Sequence, residues 1–328
     1  MAGSTVLVPL LAAMASAAAA LLLAGGCGTG SGASPGPLVT RDRSIPAELA
    51  RLAQIQRRPD ATFRFVVSGD QHLGYDYFAK YLVPLIDRTD PDFAALIGDQ
   101  TNSGADREYS ALFGALAPVR CPVLDLPGNH EYLKGANRFA NWFGFDHDYC
   151  FDHGQWRFVC LNDAPGVLTA DQLAWLRATL SGSPGHSAIF MHVAPAGVEP
   201  QWDRCRYYQG RYWSTVFDDG AAEFREICAE YHVATVYAGH IHAFDARRDG
   251  ETLYVITGGG GGLTGQFAAD NPGNFCHLIV AEVSGAGLLN HTVYVPGYQY
   301  DAQNRVTRVG PDRSFVVDVA RWETNAGQ

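Results

Sequence analysis

Residues 62–72 read TFRFVVSGDQH, an apolar run that ends in Gly-Asp with a histidine two positions later. Its β-branched and aromatic side chains, bounded by Gly and Asp, suit one buried strand. Working outward, residues 93–99 read FAALIGD, the same run with the same Gly-Asp ending, and residues 75–88 between the two carry apolar side chains at helical spacing. A strand, a helix and a second strand of this kind make a β-α-β unit. A further helix expected over 106–115 leads into VLDLPGNH, residues 123–130, a third strand with a polar end. In open α/β sheets the ligand site lies beyond the carboxyl ends of the parallel strands. Three strands that all end in Asp, His or Asn therefore locate a site before any chemistry is considered.

The grain changes after Trp142. Residues 149–163, YCFDHGQWRFVCLND, alternate as two strands around a turn at His153-Gly154, and residues 168–180, LTADQLAWLRATL, form a helix with Thr169 as N-cap. SAIFMH (187–192) and ATVYAGHIH (234–242) are two more buried strands with histidines at their ends, whereas TLYVITGGGGG (252–262), HLIVAEV (277–283) and HTVYVP (291–296) read as antiparallel strands. FVVDVARW, residues 315–322, is a candidate for a last strand. The glycines Gly258 to Gly262 have two readings, a backbone nest that cradles phosphate and a tight connection at a sheet edge. The expected organisation is one α/β domain over residues 61–297 with an extension over 298–328, and no repeat period is present.

The first residues stand apart. Residues 1–24 are almost wholly small and apolar, Cys27 closes the run LLLAGGC, and a Gly/Ser/Pro-rich stretch follows to Pro37. That pattern reads as an export signal over 1–27 and a flexible tether and lead-in over 28–60. LLLAGGC resembles the lipobox of bacterial lipoproteins, with Ala24 where Leu is usual, and implies lipidation at Cys27. The location expected is extracytoplasmic, either secreted or held at the cell envelope by that lipid alone. Six further cysteines, an even number, make disulfides an expectation in such a compartment, with Cys150 and Cys160 flanking one hairpin. The chain of 328 residues is 47% apolar, enough for a sizeable core, and its net charge of −10 excludes a role in coating nucleic acid.

Collected in order, the polar residues at strand ends are Asp70 and His72, Asp99, Asn129 with His130 and Glu131, His192, and His240 with His242. Imidazole, carboxylate and amide oxygen without thiolate suit first-row divalent or trivalent ions and disfavour a structural zinc site. Side chains two apart on an extended segment share a face, so each Asp-x-His or His-x-His pair can serve one pocket. A carboxylate such as Asp99 can offer one oxygen to each of two ions.

The order DxH, GD, GNHE, a lone His and GHxH resembles the calcineurin-like metallophosphoesterase superfamily. The resemblance covers residues 63–262 and implies a four-layer α/β sandwich of two mixed β-sheets flanked by helices. It implies two metal ions (Mn, Fe or Zn), one held by Asp70, His72 and His242, the other by Asn129, His192 and His240, with Asp99 bridging. His130 is then the residue that faces the phosphate, donating a hydrogen bond to the developing charge or protonating the leaving oxygen. The implied activity is hydrolysis of a small phosphomonoester or phosphodiester by a hydroxide bridging the ions.

The stretch GDQTNSG, residues 98–104, departs from the family pattern at Asn102, where relatives place an Asp that orients the catalytic His or a Tyr that ligates iron. A protein Ser/Thr phosphatase and a coloured iron-tyrosinate centre are therefore not expected, and an uncharged amide is left to face His130. Tyr75 and Tyr132 are candidates to line the pocket. Arg204 and Arg206, in an insertion rich in aromatics and cations, are candidates for substrate contacts. The competing reading is an extracytoplasmic binding lipoprotein with this fold and no catalysis. It is disfavoured because every ligand position holds a competent residue.

Overall fold

The computed structural model describes residues 42–319 except 56, 59, 73–74, 134–137, 199, 201–205, 209–210, 214–215 and 263–272, and describes only the backbone of Tyr75, 206–208 and 211–213. The leader, Cys27, Arg204 and the side chains of Tyr75 and Arg206 lie outside the described residues.

Three parallel strands, β1 (Phe63–Ser68), β2 (Phe93–Ile97) and β3 (Val123–Leu126), form one half of a six-stranded sheet. Three antiparallel strands complete it: Leu278–Val283 pairs with β1, Leu289–Val295 lies next, and Arg313–Val316 forms the edge. The second six-stranded sheet contains β4 (Tyr149–His153), β5 (Trp156–Cys160), β6 (His186–Phe190), then Thr235–Ala238, Thr252–Thr257 and Phe244–Asp249. Thr252–Thr257 pairs antiparallel with Phe244–Asp249, as expected, and on its other side runs parallel to Thr235–Ala238. A fully buried run carries no mark of which partners it will take. Its parallel course matters, because it delivers Gly258–Gly262 to the same end of the sheet as the histidines.

The sheets face each other across an aromatic core. Phe65 of β1 stacks on Phe93 with ring centres 5.1 Å apart and meets Phe158, Phe190 and Tyr237 of the opposite sheet edge-on at 5.2, 6.0 and 5.9 Å. Offset and edge-to-face pairs of this kind add to the burial of large apolar surfaces and lock the sheets in register. Helices cover the outer faces. Ala170–Ser181 and Ala221–Glu230 press Leu173, Leu176, Phe224 and Ile227 onto the second sheet. The expected Thr169 cap is present, with Thr169 Oγ1 accepting from Gln172 N at 3.3 Å and Gln172 Oε1 accepting from Thr169 N at 3.1 Å. Over the first sheet the expected helix after the DxH segment spans Tyr75–Thr89, with a π turn at Phe78–Leu82. Pro84 has no N–H to give the carbonyl one turn back, and the helix widens just before it.

Among the described residues Cys121, Cys150, Cys160 and Cys228 form no disulfide, and Cys205, like Cys27, lies outside the described residues. The strand register explains why Cys150 and Cys160 do not bond: Cys150 faces Val159 and Cys160 faces Tyr149, which places the two thiols on opposite faces of the sheet. Among the described residues no helix is long and apolar enough to cross a membrane.

At the pole of the sheets opposite the strand carboxyl ends, Asp92 accepts from Arg57 Nε at 2.7 Å and pairs with His153 Nε2 at 2.7 Å. Burial raises the Asp92 pKa, but Arg57 and His153 outweigh it and hold the carboxyl below its ordinary value. Its stabilising contribution is therefore complete above the ordinary Asp value of about 4 and fades as pH falls through the lower folded value. We predict that Asp92→Asn costs about 2 kcal/mol at neutral pH. Denaturant unfolding as a function of pH should show that this difference shrinks below pH ~4, and a difference independent of pH would contradict the assignment.

Candidate metal centre

Every residue of the centre sits just past the carboxyl end of a parallel strand. Asp70 and His72 follow β1, Asp99 follows β2, Asn129 and His130 follow β3, His192 follows β6, and His240 and His242 follow Thr235–Ala238. The chain turns sharply at these points. Asp70, His72, Asp99 and His240 all have positive φ, at 63°, 45°, 52° and 64°. Non-glycine residues seldom adopt this region, and four together mark a place where surrounding contacts impose the backbone. Those contacts are cross-loop hydrogen bonds: Asp70 N to Gly98 O at 3.0 Å, His72 N to Asp99 O at 3.0 Å, and His240 N to Asp70 Oδ2 at 2.9 Å.

Two groups of ligand atoms result. Asp70, His72, Asp99 and His242 form one, and Asp99, His192 and His240 form the other, the atoms of each lying within 4.8 Å of one another. Asp99 is common to both. Its Oδ2 is 3.4 Å from His72 Nε2, 3.3 Å from His192 Nε2 and 3.9 Å from His130 Nε2. Asn129 joins the second group, with its Oδ1 3.1 Å from His192 Nε2. His192 Nδ1 donates to Ile97 O at 3.0 Å, which leaves its Nε2 lone pair for the centre.

The arrangement fits a cation. Asp70 Oδ1 is buried without a hydrogen-bond donor, and it faces His242 Nε2 at 3.4 Å and His72 Nε2 at 3.8 Å, the two ring nitrogens being 2.9 Å apart. An oxygen and two nitrogens thus converge on one point with no proton donor assigned to it. The electrostatics agree. Burial raises the pKa values of Asp70 and Asp99, yet the neighbouring imidazoles hold both well below the carboxylate range. Burial lowers the pKa of His192, but Asp99, Asp70 and Asp163 lift it to about 10. Two buried carboxylates create a demand for positive charge that a metal ion would meet.

His130 is placed differently. Its Nδ1 donates to the backbone carbonyl of Asn102 at 2.9 Å, and its ring packs edge-on against His72. The sequence expectation put this contact on the Asn102 side chain. The main-chain carbonyl makes it instead, which explains how the position tolerates an uncharged residue. The Tyr132 hydroxyl donates to Asp146 Oδ2 at 3.3 Å and accepts from Asn162 Nδ2 at 2.9 Å. The backbone of Arg206 lies in a short strand, Arg206–Tyr208.

The role of Glu131 and the whole of Asp163 escaped the sequence reading. Glu131, 1% exposed, accepts from Asp99 N, Thr101 N, Thr101 Oγ1 and Gly128 N at 2.7 to 2.9 Å, and so ties the GD loop to the GNHE loop. Burial and Asp99 push its pKa up to about 8 against these donors. Asp163, in the loop after β5, accepts from His192 N at 2.7 Å and Val193 N at 2.8 Å. Its only sequence signal was a polar residue after an apolar run. The glycines act by their lack of a side chain. A Cβ at Gly128 would collide with Asp99 Oδ1 and the His192 ring, and one at Gly239 with Asp70 Oδ2. Gly260 N and Gly262 N donate to Gly69 O at 2.8 Å and Asp70 O at 2.7 Å, so these N–H groups brace the DxH loop and are not offered to phosphate.

Residues 63–244, more than half of the chain, match the profile of the calcineurin-like phosphoesterase family. The chain belongs to that family. Among curated relatives of this phosphoesterase, a probable cyclic nucleotide phosphodiesterase of Moraxella catarrhalis is 25% identical over 213 residues, covering 55% of this chain and 72% of the relative. The 3',5'-cyclic-nucleotide phosphodiesterase of a Nostoc species is 26% identical over 176 residues, covering 52% of this chain and 62% of the relative. A glycerophosphodiester phosphodiesterase of Enterobacter lignolyticus is 31% identical over 121 residues, 33% of this chain and 44% of the relative. The matches thus span less than two thirds of the latter two proteins. The fold is shared with the purple acid phosphatase PPD1 of yellow lupin seeds (TM-score 0.53, 16% identity, 79% of this chain, 54% of that one). It is shared equally with GAP50, the anchor in the inner membrane complex of Plasmodium (TM-score 0.53, 13% identity, 80% of this chain, 93% of that one).

We predict that Glu131→Gln weakens Mn(II) binding by about 10- to 100-fold, since an amide cannot accept all four donors and the loops carrying Asp99 and Asn129 lose their tie. Equilibrium dialysis measures this directly. Unchanged affinity would show that Glu131 fills space and nothing more.

Proposed function

We propose that this phosphoesterase hydrolyses small organic phosphodiesters outside the cytoplasm, at a centre for two first-row metal ions (Mn, Fe or Zn). The observation that carries the reading is Asp99, whose carboxylate belongs to both groups of ligand atoms. In this reading Asp70, His72 and His242 would hold one ion, Asn129, His192 and His240 would hold the other, and Asp99 would serve both. The choice of diesters rests on the names of the relatives, which specify cyclic nucleotides and glycerophosphodiesters. The extracytoplasmic location rests on the export signal and on Cys27 as a lipid attachment point.

What two such ions supply when bound is Lewis acidity, which activates a water for attack on phosphorus and offsets charge on the phosphate oxygens. The chain's own residues do the rest. Asp99 and Asp70 fix the spacing of the ligands from buried, over-determined loops. His130, half-buried beside the centre, donates a hydrogen bond from Nδ1 to Asn102 O, and its Nε2 lies 3.9 Å from Asp99 Oδ2. A protonated Nε2 there can donate to a phosphate oxygen and then to the leaving oxygen, work suited to an imidazole near neutral pH.

The test is hydrolysis of bis(p-nitrophenyl) phosphate and p-nitrophenyl phosphate by metal-stripped protein refilled with Mn, Zn or Fe. We expect metal-dependent turnover that favours the diester and disappears in Asp99→Ala. His130→Ala should lower kcat by about 10²- to 10⁴-fold while metal uptake stays at the wild-type level. Uptake of two ions without turnover of either ester would move the reading to a binding protein built on this fold.

A further inference from the structure

Residues beyond the family match pack beside the candidate metal centre. Tyr298–Tyr300 and Val306–Arg308 form a small antiparallel hairpin, 54 or more residues past the end of the matched region at 244. The hairpin is seated on the helix that follows the DxH segment. The Tyr77 and Tyr300 rings stack with centres 5.4 Å apart, those of Tyr81 and Tyr298 at 4.6 Å, and Tyr77 Oη donates to Tyr298 O at 2.5 Å. The buried Gln299 amide anchors the hairpin from beneath, with Oε1 accepting from Cys276 N at 2.6 Å and Nε2 donating to Pro296 O at 2.8 Å. Two stacked ring pairs and an amide on main-chain groups hold the hairpin in place, and one of its polar groups reaches the glycine run beside the centre.

That group is the Tyr300 hydroxyl, which donates to Gly261 O at 2.9 Å. Gly261 O and Gly262 N belong to one peptide unit, and Gly262 N donates to Asp70 O at 2.7 Å. The phenol and the Asp70 carbonyl therefore grip the two ends of a single peptide plane, and each bond polarises the other. A Cβ at Gly262 would press on the His72 ring, on His242 Cε1 and on Asp70 O, so this plane lies directly against three residues of one ligand group. Asp70 and His72 are two of the positive-φ residues whose conformation needs outside support. In the other group His192 is held from elsewhere, by Asp163 and Ile97 O, while Asp99, common to both groups, is tied to Glu131 and His240 N donates to Asp70 Oδ2 at 2.9 Å.

We infer that Tyr300 is a positioning residue for the Asp70–His72–His242 half of the centre, acting through the Gly261–Gly262 peptide. The inference rests on the binuclear reading above. Its test uses the full-length protein and Mn(II) binding at equilibrium, with Tyr300→Phe as the variant because it keeps the ring stack and deletes only the hydroxyl. Tyr298→Phe removes a hydroxyl from the same hairpin and serves as the comparison. His72→Ala and His240→Ala identify which of the two ions is which. We expect Tyr300→Phe to weaken the His72-dependent ion about tenfold, with the His240-dependent ion within twofold of wild type and Tyr298→Phe unchanged at both sites. Wild-type affinity at both sites, or equal weakening of both ions, overturns the inference while leaving the binuclear reading intact. A wild-type protein that takes up no His72-dependent ion overturns both.

Discussion

The two buried carboxylates, Asp70 and Asp99, are the constraint on which the rest of the molecule is arranged. Neither has meaningful exposure, and isolated charges so placed would cost several kcal/mol each. The structure answers with imidazoles on every side and a layout that concentrates further positive charge at one point. The sheets make this feasible because their parallel strands end together, so loops far apart in sequence meet without long excursions. The aromatic core between the sheets, centred on Phe65, keeps those loop origins fixed relative to one another.

Close approach then dictates composition. The loops pack so tightly that main-chain N–H groups reach the carboxylate of Glu131 and the carbonyl of Asp70, and no Cβ fits at Gly128, Gly239 or Gly262. The motif glycines are thus required by the space left after the charged groups are satisfied. The same crowding explains the strained φ values: Asp70, His72, Asp99 and His240 bend sharply because their side chains must point inward while their main chains leave for separate elements.

Much of this was legible in the sequence. Repeated apolar runs ending in Gly-Asp or in histidine gave the parallel strands and the strand-end location of Asp70, Asp99, His192 and His240. The Thr169 cap and the helix over Tyr75–Thr89 followed from local chemistry. What could not be read has physical causes. The parallel neighbour of Thr252–Thr257 could not be foreseen, since a strand buried on both faces looks the same whichever partners it takes. The Asn102 contact uses a carbonyl that every residue type carries, so side-chain identity was a misleading guide there. Glu131 and Asp163 act on backbone N–H groups, and such a role leaves no spacing pattern. The Tyr132 hydroxyl pairs with Asp146 and Asn162, partners that lie far along the chain and that the GNHE motif does not announce.

The ligands are divided between the layers: Asp70, His72, Asp99 and Asn129 leave the first sheet, and His192, His240 and His242 leave the second. Any ion held by both sets is a cross-link between two halves of the protein as well as a reagent. Its binding free energy then adds to the cohesion of the sandwich, by about 2.7 kcal/mol for each site at a free concentration one hundredfold above its dissociation constant. The apo and loaded proteins would differ in how readily the sheets part, and metal supply would set the lifetime of the folded chain along with its chemistry.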